Sequence, residues 1–229
     1  MTFLKSIPCG LALALVLHAG SSAAPAKAPP ETEDIGNLSL IVENDLFART
    51  DQGYTSGVRA SWVTSPSKTP QWAVGLAKSL PLFADWGEVR TEYAIQQAIF
   101  TPRDVRRVTP DPRDRPYAGW LNASFGLIGE AGPLLDQVAL SFGVIGPASL
   151  AQQSQKFVHD IKNIDSPQGW DSQLRNEPTV QLLYQRSWRA LAAYASESDY
   201  GVDFTPHAGF AAGNVYTFAN AGPTVSSRL

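Results

Sequence analysis

Cysteine is nearly absent from this chain of 229 residues, since Cys9 is the only one. It lies in a segment with the order of a secretory signal peptide: Lys5, an apolar core at 11–17, and small residues at 21–26. We predict that residues 1–26 are removed on export and that residues 27–35, most of which lie in a stretch over 24–34 rich in Pro, Ala and Glu, form a flexible leader. The mature chain would then hold no cysteine, which excludes disulfides as a source of stability.

Charge is also sparse. Charged residues make up 17% of the chain, and the net charge is −3 with both signs mixed along the sequence. This balance offers no strongly basic face for a nucleic acid. The apolar run of the signal is too short for a spanning helix, which needs about 20 residues. We therefore expect no nucleic-acid partner, and one domain over residues 36–229.

What the sequence has in plenty is alternation of apolar residues with small or polar ones. Four segments show it most clearly: Leu38, Leu40 and Val42; Val58, Ala60 and Trp62; Leu121, Ala123, Phe125 and Leu127; and Val138, Leu140, Phe142 and Val144. Further strands are predicted at 93–100, 179–194, 204–212 and 216–225, which makes about eight. Alternating segments of about ten residues are typical of an outer-membrane β-barrel.

Two features bear on whether such a sheet lies in a membrane. Trp62, Trp120, Tyr184, Trp188 and Tyr216 fall at or near predicted strand ends, where a barrel has its aromatic girdles. A soluble sandwich or lipocalin-like barrel also alternates, but its large apolar residues would point inward. The Gly, Ser and Gln residues of the second face favour a polar lumen, and the soluble alternative stays open.

One segment, residues 149–164, interrupts the strand pattern. Phe157, Ile161 and Ile164 recur there at helical spacing, with Gly146-Pro147 before them and Ser166-Pro167 after them. The pattern predicts a short helix between strands that lays His159 over the mouth of a barrel. Gln152, Gln155 and His159 would share one side of that helix.

Polar residues cluster where two predicted strands meet. Asn44 and Asp45 close the first strand, Thr55 opens the second, and a loop over residues 46–53 joins them. A hard cation such as Ca²⁺ takes six to eight oxygen ligands, so Asp45 and Thr55 could contribute to a metal site. Each residue also has an ordinary explanation. Asn-Asp is common turn chemistry, and a lone histidine such as His159 or His207 is more often structural.

Residues 114–120, with the sequence Asp-Arg-Pro-Tyr-Ala-Gly-Trp, form a distinctive entry from a loop into a strand. Pro116 and Gly119 shape a turn, and the tyrosine and tryptophan could serve as interface aromatics. Arg115 could pair with Asp114 or meet a phosphate. The structural role of this segment is the favoured interpretation.

Taken together, the motifs resemble the lipid A 3′-O-deacylase family of Gram-negative outer membranes, the LpxR type. The resemblance covers nearly all of residues 37–225, and the order and spacing of its motifs agree with the family. The matching segments are Glu43-Asn44-Asp45, Tyr54-Thr55-Ser56-Gly57, residues 114–120, and Gly146-Pro147 followed by Gln155 and His159.

The resemblance implies an all-β fold, an antiparallel transmembrane β-barrel with a short helix at its mouth, and a calcium-dependent ester hydrolase. The enzyme would remove the 3′-acyloxyacyl chain of lipid A, in contact with lipopolysaccharide and outer-membrane lipid and as a monomer. His159 would be the general base that activates water, and Asn44 would position or polarise neighbouring groups. Asp45, Thr55 and Asp165 would hold Ca²⁺.

Two departures from the family stand out. Asp165 takes the place of a glutamate six residues after the histidine, so its carboxylate is one methylene shorter. The family barrel has twelve strands, whereas about eight are predicted here, and we expect a C-terminally truncated member with an incomplete barrel. An open sheet edge would be costly in lipid.

Two other functions compete with the deacylase. The chain could be a non-enzymatic or inactive outer-membrane β-barrel that retains the family sequence. It could also be a different outer-membrane lipase, although no Gly-x-Ser-x-Gly elbow is present for a serine nucleophile.

Overall fold

The computed structural model describes residues 35–44, 56–81, 83, 87–189, 191–194 and 201–228. The predicted signal and leader, apart from Ile35, lie outside these residues. In the described part of the chain, no helix is both long and apolar enough to cross a membrane.

The described strands form one antiparallel sheet in which consecutive strands pair, except that β6 and β7 both pair with β8 and not with each other. Because β6 and β7 both pair with β8, they occupy one row, and the sheet has eight rows. The predicted all-β fold of about eight strands is confirmed. The strands are β1 (Asn37–Asn44), β2 (Ser56–Val63), β3 (Glu88–Phe100), β4 (Ala118–Ala131), β5 (Leu134–Ile145), β6 (Glu177–Trp188), β7 (Leu191–Tyr194), β8 (Gly201–Gly213) and β9 (Phe218–Arg228).

The two faces of the sheet differ in the way a membrane barrel requires. Outward positions carry large apolar side chains that stay exposed, such as Leu40, Ile95 and Phe142. The inner face is polar, and Arg59 pairs with Glu92 across neighbouring strands at 2.8 Å. A soluble sandwich or lipocalin-like barrel would turn its large apolar residues inward. The membrane-type alternative is therefore the correct one, and the sheet forms half of an outer-membrane barrel.

The register corrects part of the predicted aromatic girdle. Trp120 and Tyr216 line the polar inner cavity, which has a volume of about 310 Å³. The Trp120 indole N–H donates to Thr179 Oγ1 at 2.9 Å. Trp62 and Trp188, in contrast, occupy outward positions. The prediction for Trp120 and Tyr216 was wrong because a place near a strand end does not say which face a side chain is on.

Two helices pack on the outer wall, at opposite ends of the strands. Helix α1 (Gln71–Ser79) follows β2, and helix α2 (Ala151–Lys162) follows β5. The predicted helix over residues 149–164 is confirmed as α2, whereas α1 was not predicted. The end that carries α2 and the chain segments 101–117, 146–176 and 214–217 is called the site end here. The opposite end is called the α1 end.

Candidate functional site

A glycine in β4 lets α2 lie directly on the barrel wall. A Cβ atom added at Gly119 would overlap Ala151 Cβ and Ser149 Oγ. Next to this contact, Ile99, Tyr117, Ala151 and Trp170 form a buried apolar cluster between the helix and the wall. The close approach of α2 therefore depends on the missing side chain at Gly119.

Buried hydrogen bonds then fix the position of α2. The Trp170 indole N–H donates to Gln155 Oε1 at 2.9 Å, and both side chains are buried. The Gln97 amide on the outer wall donates to the Ser149 carbonyl at 2.6 Å. Because buried polar groups that lose a partner cost about 1–3 kcal/mol each, these bonds favour one placement of the helix. Gln155 thus holds the helix, one turn before His159.

The loop over residues 101–117 supports the position of α2, because Tyr117 at its end packs against Trp170 and Ala151. Asp114 accepts the backbone N–H groups of Arg103 and Arg115, each at 2.8 Å. Tyr117 is fully buried, its ring lies tilted against that of Trp170 with centroids 4.9 Å apart, and its hydroxyl donates to the Val105 carbonyl. Burial raises the pKa of the Tyr117 phenol, so it stays a donor at neutral pH. The structural interpretation of this loop is confirmed, and the prediction of Tyr117 as an interface aromatic was wrong.

The C-terminus of α2 turns back on His159. Asn163 adopts a left-handed conformation with φ 53°, and the Ile164 N–H donates to the His159 carbonyl at 3.1 Å. This turn brings the Asp165 carbonyl oxygen to 2.6 Å from His159 Nδ1. A carbonyl oxygen only accepts, so Nδ1 carries the hydrogen in this contact, and in the neutral imidazole Nε2 then keeps its lone pair. That tautomer is the one that a general base needs.

Asp165 contributes differently through its backbone and its side chain. The backbone carbonyl orients His159, whichever side chain the position carries. The carboxylate is exposed and, within the described residues, makes no hydrogen bond or ion pair. It is therefore available as an oxygen ligand on the helix side of the site end.

The strand side of the predicted cluster is only partly described. Asn44 is the last residue of β1, and its row runs through Ser56 to Ile99, which contacts α2. With strands about 4.8 Å apart, the Asn44 backbone lies roughly 10 Å from that of Ile99. Asp45 and Thr55 lie outside the described residues. Elsewhere, the described ranges hold no group of three His, Cys, Asp or Glu residues that could bind a metal ion.

Helix α2 has an apolar edge and a polar edge, and neither is covered. Phe157 and Ile161 are 65% and 69% exposed, although their spacing is what predicted the helix. His159 lies about 160° around the axis from Ile161, beside Gln152. The helix can therefore face an amphiphile, with acyl chains along one edge and a polar headgroup along the other.

A second feature of the site end was not predicted, a cleft of about 450 Å³ in the loop over residues 101–117. Arg103, Arg107 and Arg113 line it together with three aspartates. A hydrogen bond from the Arg113 side chain lowers the pKa of Asp111, which keeps that carboxyl ionised. The number of arginines in this stretch was the available signal, but only the fold gathers them around one cleft.

Comparison with known proteins agrees with this geometry. A family model described as "Outer membrane protein LpxR" matches residues 11–227. Among solved structures, the chain is similar to LpxR from Salmonella typhimurium, with a TM-score of 0.62 and 20% identity. The match covers 76% of this chain and 53% of that one, so the chain spans about half the length of the solved structure. No curated protein matches the sequence.

Proposed function

This chain belongs to the LpxR family of outer-membrane lipid A deacylases, and from that premise we propose that it hydrolyses the 3′-acyloxyacyl ester of lipid A. The single observation that carries the proposal is the contact between His159 Nδ1 and the Asp165 carbonyl oxygen at 2.6 Å. It leaves Nε2 of the neutral imidazole as a proton acceptor at the site end, where β1 ends at Asn44.

The proposed reaction is a water attack on the ester with His159 as the general base. Nε2 takes a proton from water as the oxygen attacks the ester carbonyl carbon. The tetrahedral intermediate then collapses, the bond to the sugar 3′ oxygen breaks, and the imidazolium returns the proton to that oxygen. The products are a free acyloxyacyl acid and a 3′-hydroxyl group. Asn44, at the end of β1, would position or polarise the reacting groups.

The donor set of Asp45, Thr55 and Asp165 consists of oxygen atoms alone, which fits a hard cation such as Ca²⁺ better than zinc. The exposed carboxylate of Asp165, free of protein partners within the described residues, supports this fit. When bound, the cation would stabilise the negative charge that develops on the ester carbonyl oxygen.

The surroundings of His159 support an amphiphilic substrate that stays in the membrane. The apolar edge of α2, with Phe157 and Ile161, can pack against acyl chains, while His159 faces the polar side. The cleft in the loop over residues 101–117 offers the planar donors of Arg103 and Arg107, which suit phosphate groups, whereas Arg113 pairs with Asp111. Lipid A combines both features, since it is a phosphorylated and acylated sugar.

The test follows lipid A mass in outer membranes that contain the full chain. We expect loss of the 3′-acyloxyacyl group in the presence of Ca²⁺, and intact lipid A after chelation of the cation. The His159→Ala variant should lower the rate by about 10²–10⁴-fold, the usual contribution of a general base. His207→Ala is the matched control, because His207 lies in β8 and, in the described part of the chain, its side chain forms a hydrogen bond only with Thr224.

Folding must be followed in the same samples, by heat-modifiable migration in gels. Intact lipid A beside a folded, membrane-inserted chain would contradict the proposal and favour an inactive barrel that retains the family sequence. Equal activity of the His159→Ala and His207→Ala variants would contradict the assignment of the base. Activity that survives chelation would remove Ca²⁺ from the mechanism.

A further inference from the structure

The helix at the α1 end sits on the outside of the barrel. Ala73 and Ala77 pack into a cluster with Phe83, Val89 and Leu127. The last two are outward positions of β3 and β4, at the wall that lipid surrounds in a membrane barrel. Helix α1 therefore replaces lipid over part of this wall.

The apolar side of α1 is wider than the part that the barrel covers. At about 100° per residue, Trp72 and Leu76 lie along one edge of the face formed by Ala73 and Ala77. Their side chains remain 60% and 43% exposed. Lys78 is exposed on the other edge of the helix. The helix thus has an apolar edge that stays largely exposed among the described residues, and a polar edge with a positive charge.

Trp72 continues an aromatic row on the wall. Its ring stacks on Phe125 with centroids 5.3 Å apart. Phe125 pairs in register with Tyr93, which pairs with Trp62, and the rings are 5.5 and 5.8 Å apart. Rows of tryptophan and tyrosine on a barrel mark the interface between membrane and water.

An ion pair on the same wall lies toward the α1 end, with the Arg186 side chain 29% exposed and the Asp136 side chain 1% exposed. Arg186 donates to both carboxylate oxygens of Asp136, at 2.7 and 2.8 Å. Asp136 is opposite Gly129, four residues from Phe125 along β4, or about 13 Å. Charges on the lipid face are costly at the bilayer midplane and tolerated near its interfaces. Phe83, just after α1, lies against Gly129. Helix α1 therefore lies between the level of the aromatic row at Phe125 and the level of the ion pair.

We propose that α1 is an in-plane membrane anchor that inserts Trp72 and Leu76 among the phospholipids of the leaflet opposite the site end. An amphipathic helix with a basic polar side binds this way, with its apolar face about 5–10 Å deep. Lys78 meets the phosphate groups of the same leaflet. The occupant is lipid because the uncovered edge is continuous with the lipid-facing wall. The proposal rests on the outer-membrane barrel and does not depend on hydrolysis at the site end.

The test uses an environment-sensitive fluorophore at single cysteines in the full chain, with Cys9→Ser as background. Trp72→Cys and Leu76→Cys place the probe on the apolar edge, and Lys78→Cys is the matched control on the same helix. The folded chain is placed in vesicles of phosphatidylethanolamine and phosphatidylglycerol. We expect nitroxide-labelled acyl chains to quench the first two probes at least fivefold more than the control, and aqueous iodide to quench the control.

Two results would overturn the proposal. One is equal quenching of all three probes by iodide, which would place both edges of α1 in water. The other is energy transfer between labelled copies at high lipid dilution, which would make a second copy of the chain the occupant. Leu76 is outside the cluster of Ala73 and Ala77. Its variant therefore keeps the test decisive if Trp72→Cys fails to fold.

Discussion

Helices α1 and α2 both pack on the outer wall of β3 and β4, yet they are held there by different forces. Two alanines and apolar neighbours attach α1, without side-chain hydrogen bonds to the wall among the described residues. A glycine contact and buried hydrogen bonds from Gln97 and Trp170 attach α2. Apolar contacts tolerate small shifts, whereas directional bonds fix one position. Hydrogen bonds therefore fix the position of α2, which carries the candidate base His159. Apolar contacts hold α1 on the wall without fixing it to one position.

The largest expected effect comes from removing the close approach of α2. Gly119→Val would place a side chain where Ala151 and Ser149 now lie, so the helix must move away from the wall. A displacement of about 1 Å can cost a hundredfold in rate, and we expect at least that loss of lipid A deacylation. Mass spectrometry of lipid A over time gives the rate. Unchanged activity in a folded sample would show that α2 needs no fixed position.

Substitutions at Asp165 test the role of its side chain, because its backbone contact to His159 stays the same. In Asp165→Asn the carbonyl contact to His159 stays, but a charged oxygen ligand is lost, so the Ca²⁺ concentration for half activity should rise about tenfold or more. Asp165→Glu should leave the Ca²⁺ concentration for half activity unchanged or lower it. Calcium titration of the deacylation rate measures both. Asp171→Asn, an exposed carboxylate outside α2, is the control and should titrate like the unaltered chain.

A smaller effect is expected from the buried bond that holds α2. Gln155→Leu leaves the Trp170 N–H without its acceptor, which costs about 1–3 kcal/mol. Hydrogen exchange should become faster in α2 while α1 keeps its protection. Gln152→Leu on the same helix is the matched variant, because Gln152 is only partly buried. Equal exchange in the two variants would argue against a positioning role for Gln155.

The smallest effect belongs to the other helix. Gly75→Ala in α1 adds a methyl group where no atom lies within 4 Å. It should stabilise that helix by up to about 1 kcal/mol through helix propensity alone. Local hydrogen exchange in α1 should slow, and the deacylation rate should not change. A change in rate would mean that the two ends of the barrel are coupled.

Alternation predicted most of the strands, and helical spacing predicted α2, because both patterns are local. Helix α1 escaped prediction because nine residues are too few to be helical alone, and only packing of Ala73 and Ala77 on the wall stabilises them. Strand β3 also begins at Glu88, five residues before the predicted strand. Residues 88–92 are strand because they pair with β4, a partner that a local pattern does not show.

The candidate site was likewise predicted from the sequence only in part. The motifs indicated His159 and Asp165 as residues of one site, but they gave no sign of the contact between the His159 ring and the Asp165 backbone carbonyl. Only the fold showed that Gly119, Tyr117 and Gln155 support α2 together, because a loop and a helix far apart in sequence meet there. Asp45 and Thr55 stay predictions.

The sequence by itself determined the membrane-type strands and the residues that share each face, because side chains alternate along any strand. It also carried the family motifs. Only the tertiary structure decided which face Trp120 takes, since that depends on pairing with β3 and β5. It alone decided which nitrogen of His159 is free, because the Asp165 carbonyl reaches Nδ1 only after the turn at Asn163. The face that a side chain takes depends on strand pairing between distant residues, and the contact of His159 depends on the local turn after α2; both form only in the fold.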